Sequence, residues 1–173
     1  MDEQATSEYT EFVHAHWRNA FRTAYLLTGD HHLAEDLTQT AFTKALLSWP
    51  RVRQVKEPAA YVRKIVVNQT ISWRRRMSSR EVPGLDLLED AQSGHADRVM
   101  QAHDVWAAVL TLPPRQRAVM VLRYYEDLSE AEIAGELGMA RGTVKSHASA
   151  AARTLESLLA LATDAEEAAH DPR

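Results

Sequence analysis

SEAEIAGELGMARGTVKSH, residues Ser129–His147, reads as two short helices folded back on a tight turn. Ser129 and Glu132 stand at capping-box spacing, so a helix starts there and runs to Leu137. Ile133, Ala134 and Leu137 face inward from it. Gly138 supplies the positive φ that the turn demands, and Met139 packs beneath it. Val144 then anchors a second, longer helix from about Gly142 to Leu161. Ala134, Gly138 and Val144 fall together at the offsets of a helix-turn-helix, which favours that motif over an ordinary helical hairpin.

At 100° per residue, Val144, Ala148, Ala151 and Leu155 make one packed stripe of the second helix. The opposite face carries Thr143, Ser146, Ser149, Ala150 and Arg153, with Arg141 and Lys145 at its edge. The second helix of such a motif enters the major groove with its N-terminal half. Arg141 and Lys145 suit phosphate or guanine, and Thr143 and Ser146 suit bases or phosphates. With so few cations on this face, binding by this half alone is expected to be weak.

Working outward from the motif, a helix over about 114–126 follows Pro113-Pro114, and helical pattern covers Val99–Leu112 before it. Ser78–Asp97 holds Pro83, Gly84, Gly94 and many acids without a sustained period, so it reads as a linker. Upstream, Pro58 opens a helix to about Arg76. Asp30 caps a helix over about 31–48 that Pro50 stops, and Arg51–Pro58 is a loop. A first helix, 8–28, closes at Thr28-Gly29. The predicted fold is all-α: residues 1–77 and 99–162 form two small helical domains, joined by a flexible acidic linker over 78–98 and followed by a frayed tail over 163–173.

The composition agrees. Of 173 residues 45% are hydrophobic, enough for packed cores. There is no cysteine, which excludes disulfides and thiolate metal sites and fits a reducing cytoplasm. The acidic N-terminus does not read as a secretory signal, and no apolar run approaches the ~18 residues of a membrane span, so the chain reads as soluble and cytoplasmic. The net charge of −4 is unevenly spread. Residues 1–80 carry 12 basic against 8 acidic side chains, while residues 81–104 carry 1 against 6. From Pro58 to Arg80 there are six bases and no acid. That local pattern matters more than the total.

In the helix Pro58–Arg76, Val62, Ile65, Val66 and Trp73 share one side, with Gln69 interrupting, and Trp73 is expected to be core because it lies with Val62 and Ile65. Tyr61, Lys64, Asn68, Ser72 and Arg75 share another. Splayed single-stranded bases need that second mixture: stacking, edge hydrogen bonds and phosphate neutralisation. In the helix 31–48, Ala34, Leu37, Ala41 and Ala45 make the buried side. Asp36, Gln39, Thr43 and Leu46 point outward, flanked by Phe42 and Leu47, and exposed apolar residues among polar ones suggest a protein-binding face.

Together these segments resemble the extracytoplasmic-function (ECF, group IV) sigma factors of bacterial RNA polymerase, over most of residues 8–160. Three stretches carry the likeness. AEDLTQTAFTKAL (34–46) resembles region 2.1–2.2, which binds the β′ clamp helices of core polymerase. PAAYVRKIVVNQTISWRRR (58–76) resembles regions 2.3–2.4, which capture the unpaired minus-ten element; its ISWRRR ending is similar to the actinobacterial SigE-family subgroup. Residues 112–147 resemble regions 4.1–4.2, which read the minus-thirty-five element.

The resemblance implies core polymerase contact by Asp36, Gln39, Phe42 and Leu46. It implies minus-ten contact by Tyr61, Lys64, Asn68, Ser72 and Arg75, the face that the helical wheel selects independently. For the minus-thirty-five element it implies Arg141, Thr143, Lys145, Ser146, Ser149 and Arg153. The partners implied are core RNA polymerase (β′ clamp helices and β flap), promoter DNA and, as for many relatives, an anti-sigma factor. The linker is expected to thread toward the polymerase active centre, its acidity mimicking nucleic acid. One departure stands out: His147 and Ala150 occupy positions where the family commonly has arginine. Minus-thirty-five recognition is then weaker, differently specific or supported by another protein.

No cofactor or enzymatic activity is expected. There is no GxxxxGK[ST] phosphate loop to fuel strand separation. Opening six base-pair steps costs roughly 8 kcal/mol at ~1.4 per step, so melting should need core polymerase. The histidine pairs His14/His16 and His31/His32 are expected to be solvated surface groups without a metal-site companion at helical spacing. The main alternative is a helix-turn-helix regulator of the response-regulator output type, whose N-terminal half should be α/β. A helical adaptor that binds protein only would leave the acid-free stretch 58–80 unexplained.

Overall fold

The computed structural model describes residues 3–78 and 98–169, with side chains placed over 3–76 and 105–160. Every element among the described residues is a helix: α1 (Glu3–Thr28), α2 (His31–Leu47), α3 (Trp49–Val52), α4 (Pro58–Ser78), α5 (Arg98–Thr111), α6 (Pro114–Tyr124), α7 (Glu130–Leu137) and α8 (Arg141–Ala169). They fall into two compact units, the first built on α1–α4 and the second on α5, α6, the first part of α7 and α8. The absence of any strand from the described part of the first half removes the α/β receiver that the rival reading needs. The expected linker lies almost wholly outside the described residues.

In the first unit α1, α2 and α4 pack on one another. The α1–α2 corner is set by local chemistry. Gly29 takes a φ of 74°, and its N–H donates to Tyr25 O at 2.8 Å. The Asp30 carboxylate then accepts from Leu33 N at 2.9 Å, capping α2 as the sequence predicts. Ala34, Ala41 and Ala45 are fully buried, so the α2 backbone can approach its neighbours closely. At the far end an aromatic cluster fills the space: Phe12 lies 5.0 Å from Trp49 and 5.8 Å from Phe42, ring centre to ring centre. The Tyr9 hydroxyl donates to Phe42 O at 2.8 Å, and burial pushes its pKa up.

Four expectations change here. The first helix begins at Glu3, five residues earlier than the apolar pattern suggested. Pro50 does not end the helical path: it sits in the first turn of α3, where a missing N–H costs nothing, and Trp49 and Val52 are buried beneath it. Trp73 is only half-buried. The inward face of α4 is instead Val62, Val66, Val67 and Thr70, rotated from the expected stripe. Thr70 is buried without penalty because its hydroxyl donates to Val66 O at 2.9 Å.

In the second unit α5 and α6 pack against α8, around Ala108, Val109, Leu112, Ala151 and Leu155. Arg117 is buried there with 1% of its surface exposed. Its guanidinium donates to the carbonyls of Leu110, in the last turn of α5, and Leu112, just past it. Those carbonyls have no helical partner, so a cation at that end also meets the negative pole of the helix. The last helix continues to Ala169, into the stretch expected to fray; residues 170–173 lie outside the described residues.

Candidate nucleic-acid interface

The helix-turn-helix forms as its sequence requires. Ser129 N donates to Glu132 Oε2 at 2.9 Å and Glu132 N to Ser129 Oγ at 3.3 Å, so the capping box closes reciprocally. Gly138 adopts a φ of 61°, and Met139 N returns to Ala134 O at 3.0 Å, ending α7. Ile133, Ala134, Val144, Ala151 and Leu155 are buried, while Leu137, Met139 and Ala148 are half-buried. Packing this stripe leaves Arg141, Thr143, Lys145, Ser146, Ser149 and Arg153 all exposed, with Ala150 and His147 half-buried beside them. The Ser146 hydroxyl donates to Gly142 O at 2.9 Å, which leaves its lone pairs turned outward as acceptors.

On α4 the predicted polar face stands directly opposite the buried one. Lys64, Asn68 and Arg75 are exposed, and Tyr61 and Ser72 are half-buried at its margin. The arginine triplet divides. Arg74 turns inward and its Nη2 donates to Thr28 O at 2.9 Å, where burial lowers its pKa from the ordinary guanidinium value. Arg75 and Arg76 remain exposed. Arg76 was missed in the sequence, although 100° spacing places it only 60° from Tyr61 around the helix. No acid lies on this helix to offset these cations.

On α2, Asp36, Gln39, Thr43 and Leu46 are exposed, as expected, and Leu47 is 79% exposed. Phe42 is a correction. It is 3% exposed, with Trp17 stacked on it at 5.3 Å, so it supports this face from within the core rather than forming part of it. A second correction concerns His31 and His32. Glu35 stands four and three residues further on, and the three side chains bring ligand atoms within 4.8 Å of one another. Counting histidines alone hid that carboxylate. Among the described residues no helix is long and apolar enough to cross a membrane.

An acid-free helix with a polar aromatic face in one helical unit, and a helix-turn-helix in another, are features of a DNA-binding transcription factor. Residues 12–80 match the family model for Sigma-70 region 2, and residues 102–155 match that for Sigma-70, region 4. The RNA polymerase sigma-E factor of Streptomyces coelicolor is 34% identical over 171 residues, covering 96% of this chain and 94% of that one. The ECF RNA polymerase sigma factor SigL of Mycobacterium tuberculosis is 34% identical over 152 residues, covering 85% and 84%. The sigma factor RpoE of Bartonella quintana, solved with the anti-sigma factor NepR, shares the fold with a TM-score of 0.70 at 24% identity, covering 88% of this chain and 96% of that one. The chain belongs to the extracytoplasmic-function sigma factors. It directs transcription initiation together with core RNA polymerase.

Proposed function

We propose a division of labour among three faces. Asp36, Gln39 and Leu46 on α2 dock on the β′ clamp helices of core polymerase. Tyr61, Lys64, Asn68, Ser72 and Arg75 on α4, joined by Arg76, hold the unpaired bases of the minus-ten element. Arg141, Thr143, Lys145, Ser146, Ser149 and Arg153 on α8 meet duplex DNA at the minus-thirty-five element. Residues 1–77 and 99–162 act as the two functional domains, with 78–98 between them passing toward the polymerase active centre. The observation that carries this reading is the α4 face: exposed at Lys64, Asn68 and Arg75, free of acids, and opposite Val62, Val66 and Thr70.

The chain acts as a binding subunit in the cytoplasm and catalyses no reaction of its own. With no nucleotide-driven motor in its sequence, it traps bases that the polymerase-bound promoter exposes. Regulation by an anti-sigma factor, as in the relative solved with one, belongs to the same reading. The decisive experiment is Asn68→Ala in holoenzyme. Permanganate reactivity of promoter thymines should fall at least tenfold while closed-complex mobility shift changes less than twofold. Equal losses in both assays would place Asn68 in duplex binding instead.

A further inference from the structure

The first turn of α2 carries a cluster that promoter recognition does not use. His31 and Glu35 are four residues apart and His32 and Glu35 three, the two spacings that bring helical side chains together on one face. One ligand atom from each lies within 4.8 Å of the other two. Both imidazoles are exposed and Glu35 is half-buried, so an ion can reach them without the core opening. The His31 ring is held edge-on against Phe21 at 5.0 Å, and the His31 and His32 rings stand at 78° with centres 5.9 Å apart.

We propose that His31, His32 and Glu35 bind one divalent transition-metal ion of the zinc, nickel or copper class. Two imidazoles select against calcium and magnesium, which take all-oxygen shells. Tetrahedral zinc with bonds of ~2.0–2.1 Å needs ligand atoms about 3.4 Å apart, within reach of small side-chain rotations from the present separations. Three protein ligands leave at least one position for water. The helix N-terminus opposes a cation, but the adjacent Asp30 and Asp36 carboxylates and the bound Glu35 offset it. The ion staples the first turn of α2 to itself, a turn already fixed by the Asp30 cap. The site does not depend on which face of α2 meets polymerase.

The test uses the tag-free full chain, titrated calorimetrically with zinc chloride and nickel chloride and melted with and without metal. One ion should bind per chain, and the melting temperature should rise and return on adding EDTA. His31→Ala, His32→Ala and Glu35→Gln should each weaken binding at least ~10-fold, while His14→Ala on α1 leaves it unchanged. Copper-loaded protein should show two coordinated nitrogens by electron paramagnetic resonance. His31 and His32 are exposed and Glu35→Gln keeps the side-chain size, so circular dichroism will show the fold intact. Absence of saturable binding, a single coordinated nitrogen, or unaltered affinity in Glu35→Gln overturns the site.

Discussion

A guanidinium with 1% of its surface exposed must find acceptors inside the protein, and Arg117 Nη2 donates to the carbonyls of Leu110 and Leu112. Arg117→Ala should therefore leave an open helix end as well as a void, and we expect a loss of about 3 kcal/mol in urea unfolding. No hydrophobic pattern could have announced this residue, since arginine reads as a surface side chain until the neighbouring helix end is known. The reading helix poses the opposite case. His147 and Ala150 stand where the family resemblance leads one to expect arginine, and both sit beside the exposed face of α8. His147→Arg combined with Ala150→Arg should tighten duplex binding and steepen its salt dependence by up to ~2 units, one per added phosphate contact. An unchanged slope would mean that these positions do not reach the backbone.

The elements were legible where their ends are chemically marked. Asp30, Pro58, Ser129 with Glu132, and Gly138 each place a boundary that the structure reproduces within a residue or so. Faces were harder. The inward side of α4 was misaligned because Thr70 counts as polar in a sequence, yet its hydroxyl is satisfied within its own helix and its methyl joins the core. Phe42 was misplaced for a related reason: on α2 it borders both faces, and only the cluster of Phe12, Trp17 and Trp49 decides between them. With Phe42 inside, the outward face of α2 reduces to Asp36, Gln39, Thr43, Leu46 and Leu47. Asp36→Arg with Leu46→Glu should abolish co-purification with core polymerase while the melting temperature moves by less than about 2 °C, since both side chains are exposed. A large drop in melting temperature would show that Leu46 supports the fold.

Across the whole molecule the charge is uneven: six bases and no acid lie between Pro58 and Arg80, while residues 81–104 carry 1 base against 6 acids, so a net charge of −4 is compatible with a cationic face on α4. The α8 face offers only Arg141, Lys145 and Arg153 as exposed cations. About three neutralised phosphates give a slope of log K against log salt near −2.7, and Lys145→Ala should reduce it by ~0.9. Fluorescence anisotropy on a minus-thirty-five duplex will measure both, and the isolated chain should bind at least tenfold more weakly than the holoenzyme. A steeper slope would reveal cations outside this face.

The inward turn of Arg74 has a practical consequence for anyone dissecting promoter opening. Three neighbouring arginines invite joint replacement, yet one of them fastens the end of α1 through Thr28 while the other two face solvent. Swapping all three at once would confuse a loosened scaffold with a lost strand contact. Exchanging Arg75 and Arg76 alone, with Arg74 kept, separates the two effects.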